Sequence, residues 1–365
     1  MTTPKNRDIV RLTGADQFRQ RVVLSILSAR VLRIDDIRAN EERPGLTDYE
    51  ANFLRLISKL TNGTSIEIND TGTKLRMVPG IIKGGNIKHD CRLGRPIGYF
   101  AEGILALLPF AKEPTTVTFK GITNDSHDIG IDSMRLTTLR IMKPFGIETP
   151  MLSLDIKKRG MAPKGGGEVV LRCPIVRKLR PVQITDVGFV KRIRGVAYAA
   201  RISPQMANRM VSSARGVFNK LLADVYINTD HARGHECGES PGYGIALIAE
   251  THTGALYSAE CNSKDASLRP EEIGEIAAYR LFDQIKQGGC LDATHQGLAF
   301  TFMSLCPEDV SRIRIGKLSK FGIETLRALD QFLKVRFRLK PDKKTGTIMC
   351  SCVGSNYTNV AKKVS

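Results

Sequence analysis

Residues 159–169 read RGMAPKGGGEV, three consecutive glycines beside Lys164, with Lys157, Lys158 and Arg159 just ahead. A glycine triplet permits backbone torsions closed to other residues and lets another group approach closely. Ringed by cations, it suits contact with phosphate or nucleic acid; a tight turn feeding a strand over residues 168–172 is an equal account on physics alone. HARGHEC offers His231, His235 and Cys237 as zinc ligands, with His252 or Cys261 as a distant fourth, or else forms a loop. NDSHDIG holds Asp125, His127 and Asp128, an acid and base set or a polar loop capping a helix that begins near Ile131. RALD places Arg327 and Asp330 at i and i+3 on one helix face, which suits phosphodiester cleavage but is also commonplace on helix surfaces.

KVRFRLK alternates Lys334, Arg336, Arg338 and Lys340 with Val335, Phe337 and Leu339. A strand over 335–339 projects all four cations to one face, spaced ~7 Å apart, and buries the other three. Arg312, Arg314, Lys317 and Lys320 upstream, and Lys343 and Lys344 downstream, enlarge this basic region; Arg177, Lys178, Arg180, Lys191, Arg192 and Arg194 form another. Both suit a phosphate backbone or an acidic protein segment.

The elements that must position these groups alternate between strand and helix periods. Helices are expected over 17–27 and 46–60, the second with Leu46, Tyr49, Phe53, Leu56, Ile57 and Leu60 at helical spacing, and strands over 31–37, 65–68 and 74–78. Asn62-Gly63 and Gly146 suit left-handed caps closing helices near Leu60 and Phe145. The succession recurs over 9–80, 81–170 and 268 to the C-terminus, where helices are expected over 271–286 and 296–304. Residues 187–265 follow their own order, a strand over 195–202, a helix over 204–222, then strands over 224–228, 244–250 and 256–260. The expected fold is α+β or α/β. A large domain (1–186 and 266–365) carries an inserted α/β domain (187–265).

The chain has 365 residues, 42% of them apolar, enough to bury a full core. Its 55 Lys and Arg against 37 Asp and Glu give +18, a charge that points to a polyanionic partner. The longest apolar run, 97–111, is interrupted by Glu102 and Pro109 and is too short to span a bilayer, and no export signal opens the sequence. Eight cysteines lack any paired CxxC pattern and read as free thiols; a strand places Cys350 and Cys352 on one face.

The string Arg159-Gly160, Pro163, Gly165-Gly166-Gly167 and Val169 resembles the signature of the RNA 3′-terminal phosphate cyclase family. IRANEERPGL, PGIIKGG, FKGITND, RGVAYAARISP and FLKVRF resemble further family segments, in family order, so the similarity spans nearly the whole chain. The fold this implies is three repeated βαβαββ-type units forming the large domain, with a smaller α/β insert. The activity it implies adenylylates a histidine with ATP, passes AMP to an RNA terminal phosphate and closes a ring onto the neighbouring hydroxyl, which requires an imidazole nucleophile and acidic metal ligands.

Three family positions are altered here. Phe321 occupies the place of the nucleophile, Gly14 that of the metal-binding glutamate, and His295 that of the acid in an Asp-Gln pair of which Gln296 is retained. No catalytic residue, metal or cofactor is therefore expected. This pattern is similar to the nucleolar, cyclase-like branch of the family. That likeness implies a nuclear, nucleolar protein of the early small-subunit pre-ribosome, required for pre-rRNA processing. Its implied partners are a large nucleolar ribosome-assembly GTPase, pre-rRNA and small nucleolar ribonucleoprotein, with no membrane. The candidate binding residues are Lys164, Arg312, Arg314, Lys334, Arg336, Arg338 and Lys340; the alternatives are a pre-rRNA endonuclease using Arg327 and Asp330 or, less in keeping with the residues, a working cyclase.

Overall fold

A computed structural model describes residues 8–147, 150–263 and 268–360. The chain opens with strand Ile9–Thr13, helix Phe18–Ser28, strand Val31–Asp35 and helix Asp48–Leu60, followed by strands Ser65–Ile68 and Leu75–Val78. Period-2 alternation sets the strands: Leu32 and Ile34 are fully buried while Arg33 between them is exposed. Helix Asp48–Leu60 starts at a capping box in which Thr47 and Glu50 satisfy each other's backbone N–H, and it buries Phe53, Leu56, Ile57 and Leu60 along one stripe.

Three four-stranded sheets share one layout. The first comprises the strands just named; the second holds Gly84–Asp90, Glu113–Gly121, Ser153–Lys158 and Gly167–Cys173; the third holds Gln183–Ile184, Val310–Ile315, Arg338–Asp342 and Thr347–Val353. In each, the spatial order is first, second, fourth, third, with the first two strands parallel and the other pairings antiparallel. One hydrophobic core, including Leu24, Ile57, Phe100, Phe119, Phe302 and Leu329, runs through all three.

A fourth sheet, in the order Val225–Ala232, Val190–Ala200, Gly242–Thr251 and Leu256–Asn262, has its own core with helices Gln205–Phe218 and Pro270–Gln287. Here the structure departs from the sequence boundaries. Helix Pro270–Gln287 buries Ile273, Ala277, Ala278 and Leu281 in the core of the fourth sheet, although it lies past residue 265, the expected limit of the inserted domain. Strand Gln183–Ile184 pairs with Val310–Ile315 and completes the third sheet across the insertion, rather than ending the second. Residues 264–267, at that expected boundary, lie outside the described residues, as do the last five of the chain.

Two local expectations also change. Helix Asp48–Leu60 closes at an extended Thr61, and Asn62 pairs with Ile81 instead of capping; Gly146, with φ 88°, does close the short turn Lys143–Phe145. The C-terminal basic strand begins at Arg338, not Val335: Lys334 is the left-handed cap of helix Lys320–Leu333, and Val335 is buried in the connection. Leu339 stays 40% exposed because its strand forms the sheet edge. Among the described residues no helix is long and apolar enough to cross a membrane.

Candidate functional site

Phe321 is the second residue of helix Lys320–Leu333, whose N-cap Ser319 accepts a hydrogen bond from the Gly322 N–H at 3.0 Å. Gln296, at the start of helix Gln296–Leu305, holds the preceding turn from both sides: its Nε2 donates to Lys317 O and its Oε1 accepts from Ser319 N, each at 2.8 Å. The phenyl ring so placed borders two cavities, of about 260 and 310 Å³, which share Arg19, Asp128 and Phe321 in their walls.

Ala293, Thr294 and Ser319 join Phe321 along the second cavity, and the remaining wall comes from the first two sheets' helices and loops. Arg19 pairs with Glu102 at 2.6 Å, donates to Tyr99 O and lies over the Tyr99 ring. Arg38 makes two 2.8 Å bonds to Glu50, the carboxylate that also takes the Thr47 N–H. Arg95 sits over the rings of Tyr49 and Tyr99 and pairs with Asp128 at 2.9 Å. Each arginine thus has its own carboxylate, so the cavity is rich in charge but internally matched. Burial raises the Asp128 carboxyl, against the pull of Arg19 and Arg95. Arg19, Arg38, Glu50, Arg95 and Glu102 are not among the residues that the sequence marks as a site, although Thr47 and Glu50 carry a legible capping signal and Arg38 lies inside the family-like segment IRANEERPGL.

Gly14, at φ 71°, hydrogen-bonds Asp35 O and precedes the cavity residues Ala15 to Phe18. His295 is buried outside the walls of both cavities. Its Nδ1 meets Asp292 Oδ1 at 2.7 Å and its Nε2 meets Thr138 Oγ1 at 2.8 Å, while Asp292 also accepts from Ser258 N and Oγ. Burial opposes the imidazolium, but Asp292 outweighs it and raises the His295 pKa. Both ring nitrogens are engaged, one with Asp292 of its own loop and the other with Thr138, while Asp292 ties that loop to Ser258 of the fourth sheet.

The glycine signature is a seam between the two bodies. Arg159 is 2% exposed; it pairs with Asp132 of the large domain at 2.8 Å and with Asp230 of the inserted sheet at 2.6 Å, and lies over the ring of Tyr198. Burial opposes both charges of the Arg159–Asp132 pair, yet their mutual attraction raises the Arg159 pKa and lowers that of Asp132. Gly160 packs so closely that an added Cβ would fall 2.2 Å from Gly167 N. Pro163 follows a cis bond, and Gly165 and Gly166 turn with φ 63° and 77° against Gly238. Lys164 N donates to Ser240 Oγ, and its ammonium pairs with exposed Glu239. Close backbone approach, of Gly160 to Gly167 and of Gly165 and Gly166 to Gly238, explains the bare stretch.

The other candidates separate. His127 Nδ1 lies 3.1 Å from Asp125 Oδ2, whereas Asp128 turns to Arg95; His127 borders the larger of the two cavities from an exposed loop. The helix near Ile131 takes its N-terminal support from Glu260, which accepts from Gly130 N and Ser133 Oγ, not from that loop. His231 bonds Ile202 O, His252 stacks on Phe189, and Cys237 is buried; among the described residues no His, Cys, Asp and Glu cluster is spaced to hold a metal. Arg327 pairs with Glu324 at 2.7 Å and Asp330 with Arg336 at 3.2 Å, so the two do not meet as one acid and base set.

In the third sheet Arg338 and Lys340 project outward, joined there by Arg312 and Arg314 of strand Val310–Ile315, which lies beyond the intervening strand Thr347–Val353; Arg314 is tied to Asp342 at 3.1 Å. Lys334 and Arg336 leave this face, because they lie in the turn before it. Arg192 and Arg194 are held by Glu250 and Asp224, and Lys178 by Asn356.

Comparison with known proteins gives the same family as the signature. A model of the RNA 3′-terminal phosphate cyclase family matches residues 10–339. A probable RNA 3′-terminal phosphate cyclase-like protein of Dictyostelium discoideum is 47% identical, covering 97% of this chain and 99% of its own length. An RNA 3′-terminal phosphate cyclase-like protein of Homo sapiens is 46% identical over 96% of each chain, and an rRNA processing protein of Schizosaccharomyces pombe is 43% identical over 97% of this chain and 98% of its own. With the family model covering most of the sequence and relatives of this identity aligned end to end, the chain belongs to the RNA 3′-terminal phosphate cyclase family.

Proposed function

We propose that this protein acts in rRNA processing as a non-catalytic, cyclase-like scaffold of the early small-subunit pre-ribosome, in the nucleolus. In this reading it associates with pre-rRNA, small nucleolar ribonucleoprotein and a large ribosome-assembly GTPase. The observation that carries it is the Phe321 ring in the cavity wall, at the position that the resemblance assigns to the nucleophile. A phenyl ring cannot form a phosphoramidate. The residues present also fit poorly with ATP and a divalent metal: Gly14 offers no carboxylate, and the cavity arginines already face Glu50, Glu102 and Asp128. The rRNA-processing assignment of the Schizosaccharomyces pombe relative, at 43% identity, supports the biological role.

The shared strand order supports three βαβαββ-type repeats, with the fourth sheet inserted into the third repeat. We take the large domain as those repeats and the inserted domain as the fourth sheet with its two helices. The test is depletion followed by complementation. Loss of the protein stalls pre-rRNA cleavage on the small-subunit side, and the purified protein forms no covalent adduct with labelled ATP. Normal rRNA maturation without the protein would overturn the role, and an adenylylated protein would overturn the absence of catalysis.

A further inference from the structure

The outward faces of the second and third sheets have the same strand layout, but one is balanced in charge and the other basic. Across the second sheet one row reads Asp90, Lys120, Glu168, Lys158, acid and base in alternation, and Arg172 is paired with Asp155. Opposite charges on facing strands stabilise such a row and leave it little field. Across the third sheet the register aligns Gln183, Arg312, Ser351 and Arg338, with no acid in the row, and the next row aligns Arg314, Met349 and Lys340. Arg312, Arg338 and Lys340 are exposed and carry no ion pair among the described residues; Arg314 alone is neutralised, by Asp342.

Arg312 and Arg338 stand two strand spacings apart, about 10 Å, and Lys340 lies about 7 Å along the strand from Arg338. The cations are therefore spread over a flat surface and do not converge on a point. Among the described residues no aromatic residue or histidine shares this face. Single-strand binders need such rings to stack bases, whereas duplex RNA is held largely through phosphates and sugar hydroxyls by shape. A protein partner would need aromatic or large apolar anchors, and among the described residues the apolar groups on this face are Met349, Val353 and the Val310 paired with it, none of them aromatic.

We propose that the outward face of the third sheet, built on Arg312, Arg338 and Lys340, docks the phosphate backbone of double-stranded RNA without reading its sequence. The proposal rests on the rRNA-processing reading and names the surface and RNA form that it uses. The purified full-length protein is titrated with two short RNA duplexes of unrelated sequence, a single-stranded oligouridylate and polyglutamate. R312E/R338E/K340E is compared with K83E/K112E/K220E, which changes charge equally at exposed lysines elsewhere.

The third-sheet variant loses about tenfold or more in affinity for both duplexes, and its salt slope becomes shallower by about two to three. The control stays within about twofold. R312Q/R338Q/K340Q shows a smaller loss in the same direction, which separates charge from misfolding. Equal losses in the two reversed variants, tighter binding of the single strand, or an equal loss of polyglutamate binding overturns the proposal. Because these measurements use purified protein and unrelated RNA, their failure leaves the cellular role standing; failure in the depletion experiment sinks that role instead.

Discussion

The Phe321 ring lies against the backbone of Gly297: a β-carbon built on that glycine falls 2.2 Å from Cε1. The first turn of helix Gln296–Leu305 therefore accepts the aromatic only because the facing residue has no side chain. Gly297→Ala is expected to destabilise the protein by about 1–3 kcal/mol through overpacking, even though alanine is the better helix former by ~1 kcal/mol. Phe321→Ala alone opens a void in the cavity wall, but combined with Gly297→Ala it costs less than the sum of the two. Urea unfolding of the four proteins of the cycle measures this coupling. Additive losses would show that the ring and the glycine do not constrain each other.

An imidazole at position 321, where the resemblance places the nucleophile, is not expected to produce cyclase activity. Phe321→His supplies a nucleophile but leaves Gly14 without a carboxylate and the nearby arginines engaged with Glu50, Glu102 and Asp128. The variant is expected to give no acid-labile adduct with labelled ATP and divalent metal. A stoichiometric adduct would show that a single substitution separates this chain from a cyclase.

Arg159 clasps the two bodies, and its two carboxylates should respond differently to mutation. Asp132 has no exposed side-chain surface, whereas Asp230 is 45% exposed. Arg159→Met strands Asp132 in the interior and is expected to cost about 3–5 kcal/mol. Asp230→Asn, with water at hand, costs roughly 1 kcal/mol or less. Denaturant midpoints check the ranking, and limited proteolysis of Arg159→Met should cut first where the inserted sheet meets the signature loop.

The sequence made the helices and strands legible because period and caps are local signals: 65–68 matches its strand, and 271–286 falls within helix Pro270–Gln287. It misplaced that helix among the bodies, since an amphipathic stripe reveals that a face is buried but not against which sheet. It extended the basic strand backward because KVRFRLK alternates throughout, whereas the left-handed cap at Lys334 spends the first residues on a turn. The glycine signature was visible as bare backbone, but its partner Gly238 lies more than seventy residues away and leaves no local trace. The cavity arginines were missed for the same reason: Arg19 acquires meaning only beside Tyr99 and Glu102.

Acid should weaken the fold through His89. The imidazole is 3% exposed, packed near Phe100 and Phe119, and neither ring nitrogen has a hydrogen-bond partner among the described residues. Burial first, and the Lys59 cation second, push its pKa down to about 4, against a smaller opposing pull from Asp90. The folded state thus binds this proton less readily than the unfolded chain, whose histidine titrates near 6.5. Its contribution is fully present above pH 6.5 and is lost as pH falls from there through 4. Glu260 runs in the opposite sense: burial raises it to about 7, so its contribution is full below the ordinary carboxylate range and is lost as pH rises through 7. Denaturant unfolding from pH 4 to 8 separates the two. His89→Leu flattens the profile between pH 4 and 6.5, and Glu260→Gln flattens it between 4.5 and 7. An unchanged acid limb in His89→Leu would mean that the neutral buried imidazole does not govern acid sensitivity.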